Sequence, residues 1–122
     1  MAKEKPFVMS EYGAQKLVVQ WLEQNGYKFS SIPNATYTDS WAAKMKNRNE
    51  GLRPGLPDLL IYLPKRGDKE PCLLFLEMKR EKGGIVSGVQ KEWIATLNTV
   101  TNVEAVVAKG TKEAIEIIKS FL

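Results

Sequence analysis

"GLPDLLIYL" at residues 55–63 and "CLLFLEMKREKGG" at residues 72–84 decide how this chain folds. Each holds an apolar run of strand length, and the "KRGDKE" between them has the make-up of a hairpin loop. The expected strands are 58–63 and 71–79. Yet Asp58, Glu77 and Lys79 put charge into or beside them. Burying unpaired charge costs on the order of several kcal/mol, so these groups need compensation. Residues two apart on a strand share a face. Glu77 and Lys79 therefore project together, with Phe75 and Leu73 behind them, while Leu74, Leu76 and Met78 face the other way. If the strands pair through the 64–70 turn, Asp58 converges on Glu77 and Lys79 at one edge of the sheet.

Outward from this hairpin, the chain alternates helix and strand patterns. "SEYGAQKLVVQWLEQNGY", residues 10–27, has Ser10 as N-cap and Gly26 at the C-terminal stop. Helical spacing gathers Ala14, Leu17, Val18, Trp21 and Leu22 on one face, and Glu11 falls inside that arc. "YKFSSI" reads as a short strand. Residues 34–56 show no sustained periodicity beyond a possible helical turn in "DSWAAKM", and are expected as a basic loop. They include Asn34-Ala-Thr36, a glycosylation-type tripeptide that means little in a cytosolic chain. After "EKGGIVSGVQ", a helix begins near Ser87, with Val89, Trp93, Leu97 and Val100 on its apolar side. "VEAVVA" is a further strand, and the last helix has Thr111 as N-cap with Ala114, Ile115, Ile118 and Leu122 facing in. Trp21 and Trp93, at helical spacing, read as core. The order implies an α/β domain with a mixed central sheet flanked by helices.

Composition sets the chemistry available. The 122 residues suit one domain, and 43% hydrophobic with 26% charged is a globular balance. No apolar run approaches the roughly 20 residues that span a bilayer. "MAKEKPF" lacks the apolar core of a signal peptide, so the cytoplasm, or the interior of a host cell, is the expected location. The single Cys72 cannot form an internal disulfide and reads as a reduced core thiol. A net charge of +4 leans toward an anionic partner, of which nucleic acid is the commonest, or is incidental. There is no histidine, which excludes histidine general bases, Ser-His-Asp triads and His-ligated zinc. Catalysis, if present, must rest on carboxylates, lysines or an oxygen-ligated metal such as Mg²⁺.

Taken singly, the charged residues have ordinary explanations. Glu-x-Lys on a strand is usually a solvated ion pair worth under about 1 kcal/mol, and Pro-Asp is a common turn. Together they argue for a site. Two carboxylates brought together repel unless a proton or cation joins them. With Mg²⁺ they become oxygen ligands, and a neighbouring ammonium can orient a water or stabilise negative charge, as phosphodiester hydrolysis requires.

Gly55-Leu56-Pro57-Asp58, Glu77-Met78-Lys79 and Ser87-Gly88-Val89-Gln90 resemble the VRR-NUC domain, the virus-type replication-repair nuclease of the PD-(D/E)XK superfamily. The resemblance covers essentially the whole chain and implies the restriction-endonuclease-like αβββαβ core. It implies that Asp58 and Glu77 are metal ligands, helped by the Met78 backbone carbonyl and by Glu11 on the first helix. Lys79 then positions or activates the attacking water, and Gln90 supports the lysine or a bound water. Apart from the resemblance, Glu11 has the reading of a helix N-terminal acid, Gln90 that of a polar residue at a helix edge, and Ser87 that of an N-cap.

In function, the resemblance implies a Mg²⁺- or Mn²⁺-dependent DNA endonuclease of viral or phage origin. It would act on branched DNA such as Holliday junctions or flaps, as a homodimer. A non-catalytic nucleic-acid-binding domain on the same fold is the alternative, although such relatives normally lose an acidic ligand or the lysine. A sequence-reading restriction enzyme would need base-reading elements for which the chain has little room. Lys44, Lys46, Arg48, Arg53, Arg80 and Lys82, with Lys65 and Arg66, offer phosphate contacts by charge. Trp41 has two readings, stacking on a base or packing over the core edge.

Overall fold

Helix α1 (Glu11–Gln24) starts where the Ser10 hydroxyl accepts a hydrogen bond from the Gly13 amide at 3.1 Å, the N-cap expected of it. The structure, a computed structural model, describes residues 9–33 and 40–122. The N-terminal "MAKEKPF" and Asn34-Ala-Thr36 lie outside the described residues. α1 buries Ala14, Val18 and Leu22, a narrower stripe than the spacing suggested. Leu17 is 39% exposed, and Trp21 sits at the rim of the core, stacked on Tyr27 with ring centroids 5.6 Å apart. Gly26, at φ +71°, lets the chain turn off the helix, a conformation that L-residues resist.

Four strands follow: β1 (Lys28–Ser31), β2 (Leu59–Leu63), β3 (Cys72–Lys79) and β4 (Val103–Lys109). They lie in the order β1-β2-β3-β4, with the first two pairings antiparallel and β3–β4 parallel. The mixed sheet and the αβββαβ order are those expected. The β2–β3 hairpin has the anticipated register, with Leu59 opposite Leu76 and Leu63 opposite Cys72. Cys72, expected as a core thiol, is half-buried at the start of its strand and packs against the edge of the core. One sheet face, carrying Leu59, Ile61, Leu63, Leu74, Leu76, Met78 and Ala108, forms the core with α1 and α4 (Gly110–Ser120).

Four expectations need correction. Residues 34–56 are not structureless, because Trp41–Asn49 form helix α2, capped by Ser40. α2 buries no residue, so it has no apolar stripe for periodicity to reveal. Helix α3 (Gly88–Leu97) also buries none of its residues; Val89 and Val100 are exposed, and Trp93 and Leu97 are half-buried. The backbone of α3 lies along β4, and its side chains reach β3 only through Gln90 and the loop at Gly55 through Val89 and Trp93, so it is less covered than a full layer would make it. In α4, Ala114 and Ile118 are buried and Ile115 half-buried, but Leu122 is exposed. Thr111 is not the N-cap: Lys109 holds that position, its amide donating to the Glu113 carboxylate. The Thr111 hydroxyl instead donates to the Ala14 carbonyl, tying α4 to α1.

Candidate active site

The face of the sheet away from the core carries Glu77 and Lys79, and the geometry of the β2–β3 hairpin brings Asp58 beside them. Asp58 immediately precedes β2 and is fixed at three atoms. Its amide donates to the Leu76 carbonyl at 2.9 Å, and its carbonyl accepts from the Ile32 amide at 2.8 Å. Its Oδ2 accepts from the Met78 amide at 2.7 Å. A strand residue's N–H and C=O point to the same side, so the Met78 carbonyl is also directed toward the Asp58 edge. The approach to Asp58 depends on Gly55, at φ +105°. A Cβ there would lie 2.5 Å from Val89 Cγ1 and 2.8 Å from Trp93 Cδ1 of α3.

Glu77 is 2% exposed and Lys79 is 8% exposed. Glu77 Oε1 accepts from Gln90 Nε2 at 2.8 Å and lies 3.5 Å from Lys79 Nζ. Its Oε2 is buried with no hydrogen-bond partner. Lys79 Nζ also lies 3.9 Å from Glu11 Oε1, which reaches in from the first turn of α1. Gln90 is held at both ends of its amide. Its Oε1 accepts from the Ser87 amide at 2.8 Å, while its own backbone amide donates to the Ser87 hydroxyl at 3.2 Å. This capping box aims Nε2 at Glu77. Ser87 is therefore a cap, as the spacing suggested, and the Ser-x-x-Gln pattern was its signal.

Burial pushes the Glu77 carboxyl up to about 7, the Asp58 charge adds to the rise, and Lys79 opposes it. Burial likewise raises Asp58, against the opposing Met78 amide and Lys79. Three carboxylates thus share one ammonium, in a pocket where negative charge is costly. The donor set is all oxygen, with one buried acceptor unpaired, which suits a hard divalent cation. Among the described residues no three Asp, Glu, Cys or His side chains are grouped to hold an ion. The protein ligands on offer are two carboxylates and a main-chain carbonyl, and Mg²⁺ characteristically takes one or two carboxylates and keeps several waters. Glu11, expected as a third ligand, is engaged with Lys79.

The predicted cationic residues divide. Arg80 and Lys82 are exposed directly after Lys79. Lys44, Lys46 and Arg48 lie on α2, whose flanking chain enters at Ile32 and returns at Asp58. Arg53 is committed locally, its Nη1 donating to the Arg48 carbonyl at 2.8 Å and the Leu52 carbonyl at 3.0 Å. Lys65 and Arg66 sit in the β2–β3 turn, at the opposite end of the sheet from Asp58. One contributor was missed from sequence. Gly84 packs over the lysine, where a Cβ would lie 2.9 Å from Lys79 Cβ, and the "EKGG" after β3 was the only hint.

A mixed sheet with paired carboxylates and a buried lysine at the ends of its central strands defines an α/β domain of nuclease type. The VRR-NUC domain model matches residues 9–112, and the chain belongs to that family. A solved structure described as a VRR-NUC domain protein is similar over 93% of this chain and 88% of its own, with 28% identity and a TM-score of 0.70. No curated protein matches the chain. No helix among the described residues is long and apolar enough to cross a membrane.

Proposed function

We propose that this nuclease domain is a Mg²⁺- or Mn²⁺-dependent endonuclease that hydrolyses phosphodiester bonds in DNA and prefers branched forms such as Holliday junctions or flaps. The observation that carries the reading is Glu77: a carboxyl raised first by its burial and then by its neighbour Asp58, with one oxygen unpaired and the other fixed by Gln90. Lys79 meets this carboxylate only at Oε1, so the buried Oε2 remains a costly acceptor that a cation would satisfy. Asp58, Glu77 and the Met78 carbonyl would hold the cation. When bound, the ion supplies Lewis-acid activation of water and positive charge for the phosphoryl oxygens.

The remaining work falls to the chain's own groups. Lys79, restrained by Glu77 and Glu11, presents a fixed ammonium to orient the attacking water and to offset charge building on phosphorus-bound oxygen. Gln90 keeps Glu77 from rotating, so Oε2 remains available. Glu11 acts through Lys79, as its counter-charge, in place of the ligand role first expected. Lys44, Lys46, Arg48, Arg80 and Lys82 supply phosphate contacts. A homodimer would present two such sites, as cutting two strands in register requires.

The test is a labelled four-way junction, a flap and a linear duplex incubated with Mg²⁺, Mn²⁺ or EDTA. Asp58→Ala should abolish metal-dependent cutting while leaving junction binding in place. Metal-independent cleavage, or an active Asp58→Ala protein, contradicts the mechanism. Junction binding with no cutting by the wild type points to a binding domain instead. Light scattering of the protein alone and on a junction reads the dimer.

A further inference from the structure

Like α3, helix α2 buries no residue fully, but it alone among the described helices has no helix or strand alongside its backbone. A nine-residue helix is short of the roughly 12–15 residues at which isolated helices become even marginally stable. Its ends are nonetheless secured. Ser40 caps the N-terminus by accepting from the Ala43 amide at 3.1 Å, and Arg53 donates to the Arg48 carbonyl at the C-terminus. The chain thus maintains a helix that serves no core.

The residues on that helix are sorted by face. Trp41, Lys44, Met45 and Arg48 follow the i, i+3, i+4, i+7 spacing that makes one stripe. Trp41, at its head, is 75% exposed, which settles its two sequence readings against packing over the core edge. Neither Lys44 nor Arg48 has an acidic partner among the described residues. Lys46 lies off the stripe and pairs with Glu50 at 4.0 Å. One face therefore presents an uncovered indole followed by two uncompensated cations, while the off-stripe cation is compensated. A protein surface that pairs an aromatic plane with charges for phosphate fits nucleic acid with an unstacked base.

We propose that α2 is the element that selects DNA containing unpaired bases, with Trp41 stacking on such a base and Lys44 and Arg48 holding the flanking phosphates. Its location supports this, because the chain leaving α2 returns to the sheet at Asp58, ten residues after Arg48 and so within about 35 Å of extended reach. The proposal rests on the nuclease reading for its biological use, but not for its test.

The full-length protein is titrated in EDTA with a labelled blunt duplex and with the same duplex carrying a single-stranded oligo-dT tail. Trp41→Ala should weaken binding to the tailed duplex about tenfold or more, and leave the blunt duplex within about twofold. Trp41→Phe should recover most of the loss. Wild-type tryptophan fluorescence should be quenched by the tailed DNA and not in Trp41→Phe, whose remaining indoles, Trp21 and Trp93, are half-buried. Melting temperatures should be unchanged, since Trp41 is not part of the core.

Equal losses on both DNAs, no loss on either, or no binding of tailed DNA by the wild type would overturn the proposal. A chain that binds tailed DNA through Trp41 yet cuts nothing with Mg²⁺ overturns the nuclease reading alone. A chain that cuts DNA while Trp41→Ala discriminates like the wild type overturns this proposal alone.

Discussion

Lys79 is 8% exposed and wedged between Glu77 and Glu11, whereas Lys44 stands exposed on a helix that buries no residue fully, with no acidic neighbour among the described residues. Both carry one positive charge. The first is fixed by the core behind it, by Gly84 over its Cβ and by two carboxylates. The second is fixed only by the helix that bears it. A charge held in place inside a low-dielectric pocket can act on a bond at one position, because no reorganisation is needed when charge develops. A charge on an exposed helix acts on a polyanion as part of a screened field. On the proposed reading, the contrast separates chemistry from capture within one small domain.

Substituting the two lysines is the strongest way to break that division. Lys79→Ala should lower the single-turnover cleavage rate about 10³-fold or more, while Lys44→Ala should lower it less than about tenfold at saturating protein. Equal effects would erase the distinction.

Next in size is the pH dependence of metal-free stability. The Glu77 carboxyl is raised from 4.5 to about 7 in the folded chain. The native state therefore keeps a proton that the unfolded chain has released. Stabilisation present below about 4.5 is lost as pH rises toward about 7, by on the order of 3 kcal/mol at most. Thermal melts in EDTA should show the fall, Mg²⁺ at pH 7 should restore the stability, and Glu77→Gln should flatten the profile. No comparable pH effect should come from α2.

Gln90 sharpens the comparison from the supporting side. Gln90→Ala removes both the donor to Glu77 and half of the capping box, and should cost about 10–100-fold in activity or metal affinity. Calorimetric Mn²⁺ titration beside the cleavage assay would divide the two. The smallest effect belongs to the exposed helix. Lys44→Ala should reduce the slope of log affinity against log salt by about 1, and Lys46→Ala by less, because Glu50 already compensates it.

The site was more legible in the sequence than helix α2, for a physical reason. Asp58, Glu77 and Lys79 break the apolar pattern of strands that are otherwise core, so each charge stands out. The hairpin register then follows from the loop between the strands. α2 breaks no pattern, since a helix that buries nothing has no apolar period to detect, and its sequence reads as a polar loop. Trp93 misled for a related reason. Helical spacing marks which residues share a face, but not whether a full layer lies over that face, and no residue of α3 is fully buried. Glu11, expected to face inward, is half exposed and reaches Lys79 with one oxygen, and spacing could not tell whether it would meet an ion or the lysine. The capping box at Ser87 and Gln90 was visible as a pattern, whereas its second use, aiming the Gln90 amide at Glu77, required the third dimension.

The central claim is that the buried pair of carboxylates exists to hold a cation for phosphodiester cleavage. Glu77→Gln tests it most directly, since it keeps the shape of the side chain and removes its charge. Single-turnover cleavage of a four-way junction with Mg²⁺ should fall about 10³-fold or more, in a protein that is more stable than the wild type in EDTA at pH 7. A Glu77→Gln protein that cuts within about tenfold of the wild type, or one that is less stable in EDTA, would contradict the account.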